Sequence, residues 1–438
     1  MRSINYFFSL LRFVSLIGLL AFATPVASFG AESNASADRR QLESICEELR
    51  KMLIDAGFEN VAISCDSAGA VTISYENRLY RSDISALGKI LGFAAPHSES
   101  ITNLRIIIKR MALPIIALQI PPGELQDFMA QNLSAPDFAK RLIAGDYAEE
   151  KNAAATTNSS ALKTDVLLQP LVEAQLGDYH EPYKFKLGFN LGLSTLLARG
   201  LHLEARARIP LLDEIDAFVK ESPHPYSASL NYLLPAAKNT FLSTHLGYFS
   251  GERYGLSSQA AHYFRNGNFA LAARFDYTGF LTSFDKKWFY SGLNRRTYNA
   301  GFSYQFSPYG FRASMQYGKY LLGDRGVRVA LGRYLNESRL DFFAVATTAE
   351  HWVGVELGVP LFPDKRFRPG RVRLNIPDLY VVRYDYLSTA YGQTFNLPYD
   401  LLEFRSELTK NYIVTHLEEL RRQFLSARPS VTNGQIKK

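Results

Sequence analysis

Phe269-Ala270-Leu271-Ala272-Ala273-Arg274-Phe275-Asp276-Tyr277-Thr278 alternates apolar and polar residues with a period of two. Side chains alternate across a strand, so Leu271, Phe275 and Tyr277 share one face and Arg274 and Asp276 the other. The same pattern recurs outward in both directions. Leu187, Phe189, Leu191 and Leu193 alternate with Gly188, Asn190, Gly192 and Ser194, and Leu203, Ala205 and Ala207 with Glu204, Arg206 and Arg208. Phe311, Ala313, Met315 and Tyr317 alternate with Arg312, Ser314, Gln316 and Gly318. Val327, Val329 and Leu331 interleave with Arg328, and Val353, Val355 and Leu357 with Gly354 and Glu356. Arg265-Asn266-Gly267-Asn268 and Gly323-Asp324-Arg325-Gly326 are turn chemistry between such runs.

A soluble sandwich or lipocalin-like barrel also alternates. Here the polar positions carry full charges, while the apolar positions end in aromatics such as Tyr277, Phe306, Tyr317 and Tyr334. That combination suits a membrane barrel, with lipid outside, a polar lumen inside and tyrosines at the interfaces. The chain has 30 Phe and 25 Tyr, which fits such strands better than a helical enzyme. Between residues 165 and 390 the pattern predicts an antiparallel outer-membrane β-barrel of about 12 strands.

Arg2 and Arg12 flank the start of a short apolar run over 13–23, followed by small residues up to Gly30. This is the signature of a signal peptide over 1–30, and hence of export. No cysteine stands near the expected cleavage site to carry a lipid anchor. Residues 41–148 read as a small periplasmic α/β domain of α-β-β-α-β-β order. Leu42, Ile45, Leu49 and Leu53 keep helical spacing before Gly57, and strands are expected at 61–65, 70–75, 104–109 and 115–120. One helix is expected over 128–142. Residues 149–164 are a low-complexity linker separating this domain from the barrel. Over 398–425, Leu401, Phe404, Leu408, Tyr412, Leu417, Leu420 and Phe424 predict a C-terminal amphipathic helix. It would plug the lumen, bind a periplasmic partner or pack on the periplasmic domain.

Cys46 and Cys65 are the only cysteines. In an oxidising compartment they are expected to pair as a disulfide. No metal or cofactor site is expected, because the 8 histidines lack ligand spacing. No nucleophile motif stands out, so no catalytic residue is assigned. The net charge of +7 permits contact with acidic glycan or lipopolysaccharide phosphate, and a secreted chain makes nucleic acid a poor partner.

Several stretches carry a family likeness. Phe249-Ser250-Gly251-Glu252-Arg253-Tyr254-Gly255-Leu256 and Tyr317-Gly318-Lys319-Tyr320-Leu321-Leu322-Gly323-Asp324-Arg325-Gly326, with Gly332-Arg333-Tyr334, resemble the YjbH family of outer-membrane exopolysaccharide biosynthesis proteins, related to the GfcD capsule proteins. Val355-Glu356-Leu357-Gly358-Val359-Pro360-Leu361, the basic run Lys365-Arg366-Phe367-Arg368-Pro369-Gly370-Arg371-Val372-Arg373, Tyr75-Glu76-Asn77-Arg78-Leu79-Tyr80-Arg81 and Ala86-Leu87-Gly88 are similar too. The likeness spans most of residues 45–375. It implies an outer-membrane protein working with exopolysaccharide or capsule export, in contact with exopolysaccharide or lipopolysaccharide, outer-membrane lipid and other export proteins. It supplies no catalytic residues.

The candidate glycan-facing lumen residues are Glu204, Arg206, Arg208, Arg274, Asp276, Arg312, Arg328 and Glu356. The competing reading of these charges is a cross-strand ladder that fills a narrow barrel. The run from Lys365 to Arg373 is either an anion site or a solvated loop, and Glu252-Arg253-Tyr254 a sugar platform or a plain turn. The expected function is non-catalytic assistance of exopolysaccharide export or assembly. A passive porin-like channel and a glycan-modifying barrel enzyme remain open, and carboxylate pairs would have to be held about 5–9 Å apart for glycoside hydrolysis.

Overall fold

The computed structural model describes residues 31–145, 158–176, 183–215, 222–284, 287–306, 309–361, 363–367, 370–386 and 391–427. The expected signal peptide and linker residues 149–157 lie outside these. The chain is mainly β. Among the described residues no helix is long and apolar enough to cross a membrane, which says nothing of crossing by strands.

The first element, α1 (Ala31–Ala56), is stopped by Gly57 at φ 106°. A five-stranded sheet follows in the order β1 (Glu59–Cys65), β2 (Ala70–Glu76), β3 (Asn103–Arg110), β4 (Leu113–Ile120) and β5 (Ile143–Ala144). All neighbours are antiparallel except β2 and β3, which are parallel and joined through α2 (Asp83–Ala94). Ser82 caps α2 by accepting from Ile84 N at 3.1 Å. The single helix expected over 128–142 is instead two, α3 (Pro122–Met129) and α4 (Ala135–Arg141). Gln131 takes φ 67°, and Ser134 with Pro136 starts a new helix, so the first cannot run on. Cys46 of α1 and Cys65 of β1 form a disulfide, with Cα atoms 6.7 Å apart.

The second sheet has fifteen strands. They are β6 (Thr164–Leu176), β7 (Tyr183–Ala198), β8 (Leu201–Asp213), β9 (His224–Ala237), β10 (Thr240–Phe249), β11 (Arg253–Phe264), β12 (Phe269–Phe284), β13 (Lys287–Tyr290), β14 (Arg295–Phe306), β15 (Phe311–Lys319), β16 (Arg325–Leu335), β17 (Ser338–Thr347), β18 (His351–Val359), β19 (Val372–Asn375) and β20 (Tyr380–Tyr386). From β6 to β18 successive strands pair antiparallel, with β13 as a short flap on β12 alone. β20 pairs antiparallel with β18, whereas β19 pairs parallel with β6 at the opposite end of the path. Only residues 376–379 separate β19 from β20.

The register sorts the faces as the alternation requires. Opposed pairs such as Leu271↔Phe302 and Phe275↔Tyr298 lie on an exposed apolar face. Arg274↔Asn299 and Asp276↔Thr297 lie on the other, buried and polar face. Glycines on the polar face make room for long neighbours. A methyl on Gly332 would collide with the Asp341 carboxylate, and one on Gly318 with the Asn299 amide.

The two sheets share one buried core. Leu113 and Phe128 of the small layer and Leu233, Phe241 and Tyr263 of the large sheet belong to one buried cluster. Asn158 and Ser160, expected in the linker, are fixed on the small layer. The Asn158 side chain accepts from Val61 N at 3.1 Å and donates to Phe58 O, and Ser160 Oγ donates to Glu76 Oε2 at 3.1 Å.

The C-terminal helix expected over 398–425 also needs correction. Residues 401–403 and 406–408 are single 3-10 turns, and α-helix begins only at α5 (Lys410–Thr415) and α6 (Leu417–Ala427). Phe404 at φ 51° breaks the helical run. Backbone groups upstream are satisfied by sheet side chains instead. Leu401 N donates to Gln259 Oε1, and the Leu402 and Glu403 carbonyls accept from Gln316 at 2.9 Å and Arg312 at 3.0 Å. The amphipathic pattern is real, but its apolar side is buried from Leu401 onward in the shared cluster.

Candidate functional site

The polar face of the large sheet is built by strand parity alone. It carries two kinds of surroundings: a part clasping the chain's own residues 391–409, and a part that does not.

Residues 391–409 run along the polar face from the end distant from the small layer to the end beside it. At the distal end Gly392 N donates to Asp324 Oδ2 at 2.8 Å and Asn396 N to Ser250 Oγ at 2.7 Å. Midway, Arg274 donates to Asp400 Oδ2 at 2.9 Å and to Phe395 O at 3.2 Å, and its guanidinium lies 4.2 Å from the Phe395 ring centre. Near the small layer Tyr334 OH meets Ser406 Oγ at 2.8 Å, and Asn411 N donates to Asn266 O at 2.8 Å. We call residues 391–409 the strap.

Beyond its end α6 packs on α2. Gly88 permits the approach, since a Cβ there would stand 2.7 Å from that of Gln423. The C-terminal helices thus pack on the α/β layer, and it is the irregular segment before them that occupies the polar face.

Of the eight expected lumen residues, Arg274 and Asp276 form a closed pair at 2.8 Å, completed by Thr297 and Asp400, and the Arg274 side chain has no exposed surface. Arg312 joins Asp341 at 3.1 Å as well as the strap. Arg328 and Glu356 pair at 3.0 Å, and Glu356 also meets Arg339 and Arg383, each at 3.8 Å. On β8, Glu204 pairs with Arg206, and Arg208 reaches Glu173 of β6 at 3.5 Å while lying 4.5 Å from the Tyr226 ring centre. The eight residues do share one face, but as two groups, Glu204, Arg206 and Arg208 on β8 and the rest from β12 to β18. Strap hydrogen bonds run to β9, β11, β12, β15 and β16 and to the turns after β10 and β15.

Other polar-face residues were hidden in the same parity. His202, Asn231, His245, Ser243 and Gln259 form a buried chain, with His245 Nδ1 2.6 Å from Asn231 Oδ1 and Nε2 2.8 Å from Ser243 Oγ. They are uncharged or weakly charged, so a search for full charges passes over them. Asn190, His202, Ser257, Thr278 and Asn299 each hold a buried polar atom that no protein group takes up. Among the described residues no group of three or more His, Cys, Asp or Glu side chains could hold a metal ion.

In its described part the basic run at 365–373 is mixed: Lys365, Phe367 and Arg371 are exposed, while Arg366 and Arg373 are drawn into ion pairs. Arg366 pairs with Asp378, Arg373 donates to Asp165 Oδ1 and Glu59 Oε1 at 2.6 Å each, and Lys365 bridges Tyr80. Arg81 N donates to Asp364 O at 2.8 Å and Arg366 N to Leu79 O at 2.7 Å. Backbone bonds thus join this run to the stretch Asn77–Arg81, and Arg373 ties it to β6 and β1. Tyr254 is also engaged, donating to Ser291 O at 2.6 Å within a turn region where Glu252 takes φ 57°.

Two stretches that resemble one family in sequence, 75–81 and 365–373, therefore meet in space. The model of the YjbH family, described as exopolysaccharide biosynthesis protein YbjH, matches residues 20–377. No curated protein matches the chain. With more than half of its length covered by that match, the chain belongs to the YjbH family of exopolysaccharide biosynthesis proteins.

Proposed function

We propose that the large sheet closes into an outer-membrane β-barrel, with the small layer in the periplasm, and that the barrel assists export or assembly of an exopolysaccharide without making or breaking glycosidic bonds. The observation that carries the barrel is the path of the sheet. Its two ends, β19 on β6 and β20 on β18, are joined by residues 376–379, which brings the first and last long strands side by side. Closure removes the unpaired edges that an open sheet of this size would expose. An exposed apolar face with tyrosines near its border, backed by charge on the buried face, is the arrangement lipid selects.

The lumen suits passage or holding better than turnover. Its carboxylates Glu204, Asp276 and Glu356 are each paired with an arginine. A glycan offers many hydroxyls, and the partly exposed side chains of Arg206, Arg208 and Arg328 offer weak, exchangeable partners. A freely conducting porin is disfavoured by the strap along the polar face.

The test is fractionation together with a clean deletion. The mature protein is expected in the outer membrane with heat-modifiable migration, and the deletion strain is expected to lose surface polysaccharide. Recovery in the soluble periplasm would remove the barrel from lipid, and unchanged polysaccharide would remove the export role.

A further inference from the structure

The apolar face of the large sheet ends, at the border away from the small layer, in a row of cations. Arg296 of β14, Lys319 of β15 and Arg325 of β16 all occupy apolar-face positions by register. Lys319 lies directly opposite Arg325 and also opposite Tyr298, which is two residues from Arg296. Directly opposed side chains stand about 5 Å apart and diagonal ones roughly 7–8 Å apart, so the three charges fit around one headgroup. Among the described residues none of the three has a carboxylate within ion-pair distance. Nearby Asp324 is buried and accepts from Gly392 N. Glu350, on the turn whose Thr348 N donates to Arg325 O, is exposed and unpaired.

Two like charges directly opposed on a sheet are destabilising unless something screens them. On the polar face Arg274, Arg312 and Arg328 each meet a carboxylate. Arg333, at the other border of the apolar face, lies 4.8 Å from the Phe311 ring centre. The exposed Tyr298 and Tyr317 flank the row, and Arg296 lies 5.6 Å from the Tyr277 ring centre. Below it the face is apolar, with Leu271, Phe275, Phe302, Met315 and Val329 exposed.

We propose that Arg296, Lys319 and Arg325 seat the phosphate groups of a phosphorylated glycolipid in the leaflet that borders this end of the barrel. The cations would hold phosphate oxygens, Tyr298 and Tyr317 would lie against the sugar, and the acyl chains would lie along the apolar residues below. This inference rests on the membrane reading above. It assigns a lipid contact outside the lumen and is independent of what the lumen carries.

The test reconstitutes the purified full chain into vesicles of phosphatidylcholine with and without lipid A. Insertion is read by flotation, and lipid bound to the re-extracted protein is read by mass spectrometry. Arg296→Gln, Lys319→Gln and Arg325→Gln together are compared with Arg333→Gln at the other border. Wild type and R333Q are expected to retain lipid A, with retention falling roughly fivefold for each distal cation removed while insertion persists. Equal retention by the triple variant, or an equal loss in R333Q, would overturn the site. Failure of wild type to insert into either vesicle would overturn the barrel, and the lipid site with it.

Discussion

Asp400 Oδ2 lies 2.9 Å from Arg274 Nη1, so an arginine in the middle of β12 holds the chain's own C-terminal segment against the polar face. The same guanidinium binds Asp276 at 2.8 Å through Nε, and it has no exposed surface. A buried arginine between two carboxylates is worth most as a clamp, because removing it leaves both anions uncompensated.

Arg274→Gln is therefore expected to destabilise the protein by about 3–5 kcal/mol. Asp400→Asn keeps the hydrogen-bonding shape and removes one charge, so its cost is smaller. Both should speed protease cleavage within residues 391–409, R274Q more than D400N. Unchanged cleavage in both would mean that other contacts hold the strap.

Cys46 and Cys65 should resist alkylation until reductant is added. Replacing both by Ala is expected to cost about 2–4 kcal/mol. The effect should not stay local. Leu49 of α1 and Ile63 of β1 share a cluster with Leu420 and Phe424 of α6, so amide exchange in α6 should rise together with that in β1. A linker-insulated domain would leave α6 exchange unchanged.

Glu407 joins the strap's end to the small layer, 2.7 Å from Arg405 and 3.6 Å from Arg110. Burial alone would raise its pKa, but Arg405 and then Arg110 outweigh this and lower it to about 2. A carboxylate held below its ordinary value contributes stability in full above the ordinary range, and loses it as pH falls toward the lowered value. Packing of α5 and α6 on the small layer should hold from neutral pH to about pH 4.5 and weaken between there and about pH 2. Glu407→Gln should flatten that acid dependence, as read by amide exchange of α6. An unaltered acid profile would place the acid-sensitive group elsewhere.

Period two was enough to sort Arg274 and Asp276 from Phe275 and Tyr277, because a strand has only two faces and the register puts the two pairs on opposite ones. The same rule covered Glu204, Arg206, Arg208, Arg312, Arg328 and Glu356. It could not find the strap. Residues 391–409 are neither helix nor strand, since their backbone is satisfied by side chains far away in sequence, Gln259 and Gln316 among them. Leu401, Phe404 and Leu408 mimic helix spacing while packing into a core that only the folded sheet creates. The ion pairs within the run at 365–373 escaped for a related reason. A cluster of arginines looks solvent-bound in sequence, and here Asp165 and Glu59, remote in the chain, neutralise Arg373.

The partly exposed charges of the polar face supply the last prediction. Arg206 and Arg208 on β8 and Arg328 and Arg383 near the other end of the sheet keep partly exposed side chains, unlike Arg274. If they guide polysaccharide, replacing these four by Gln should lower surface polysaccharide while heat-modifiable migration persists. Replacing Arg274 as well would confuse transport with folding, so it is left intact. The carboxylates separate transport from chemistry. Glu204→Gln weakens the anchor of Arg206 and Glu356→Gln those of Arg328, Arg339 and Arg383, so each should reduce polysaccharide by degree. A catalyst behaves differently, because loss of one acid or base typically costs 10²–10⁴-fold or more in rate. Complete loss of polysaccharide from either amide substitution, with the barrel still assembled, would therefore make that residue a catalytic acid or base and the lumen an active site. Graded losses from both, matched by graded losses from the arginines, would leave the lumen a surface of many weak contacts.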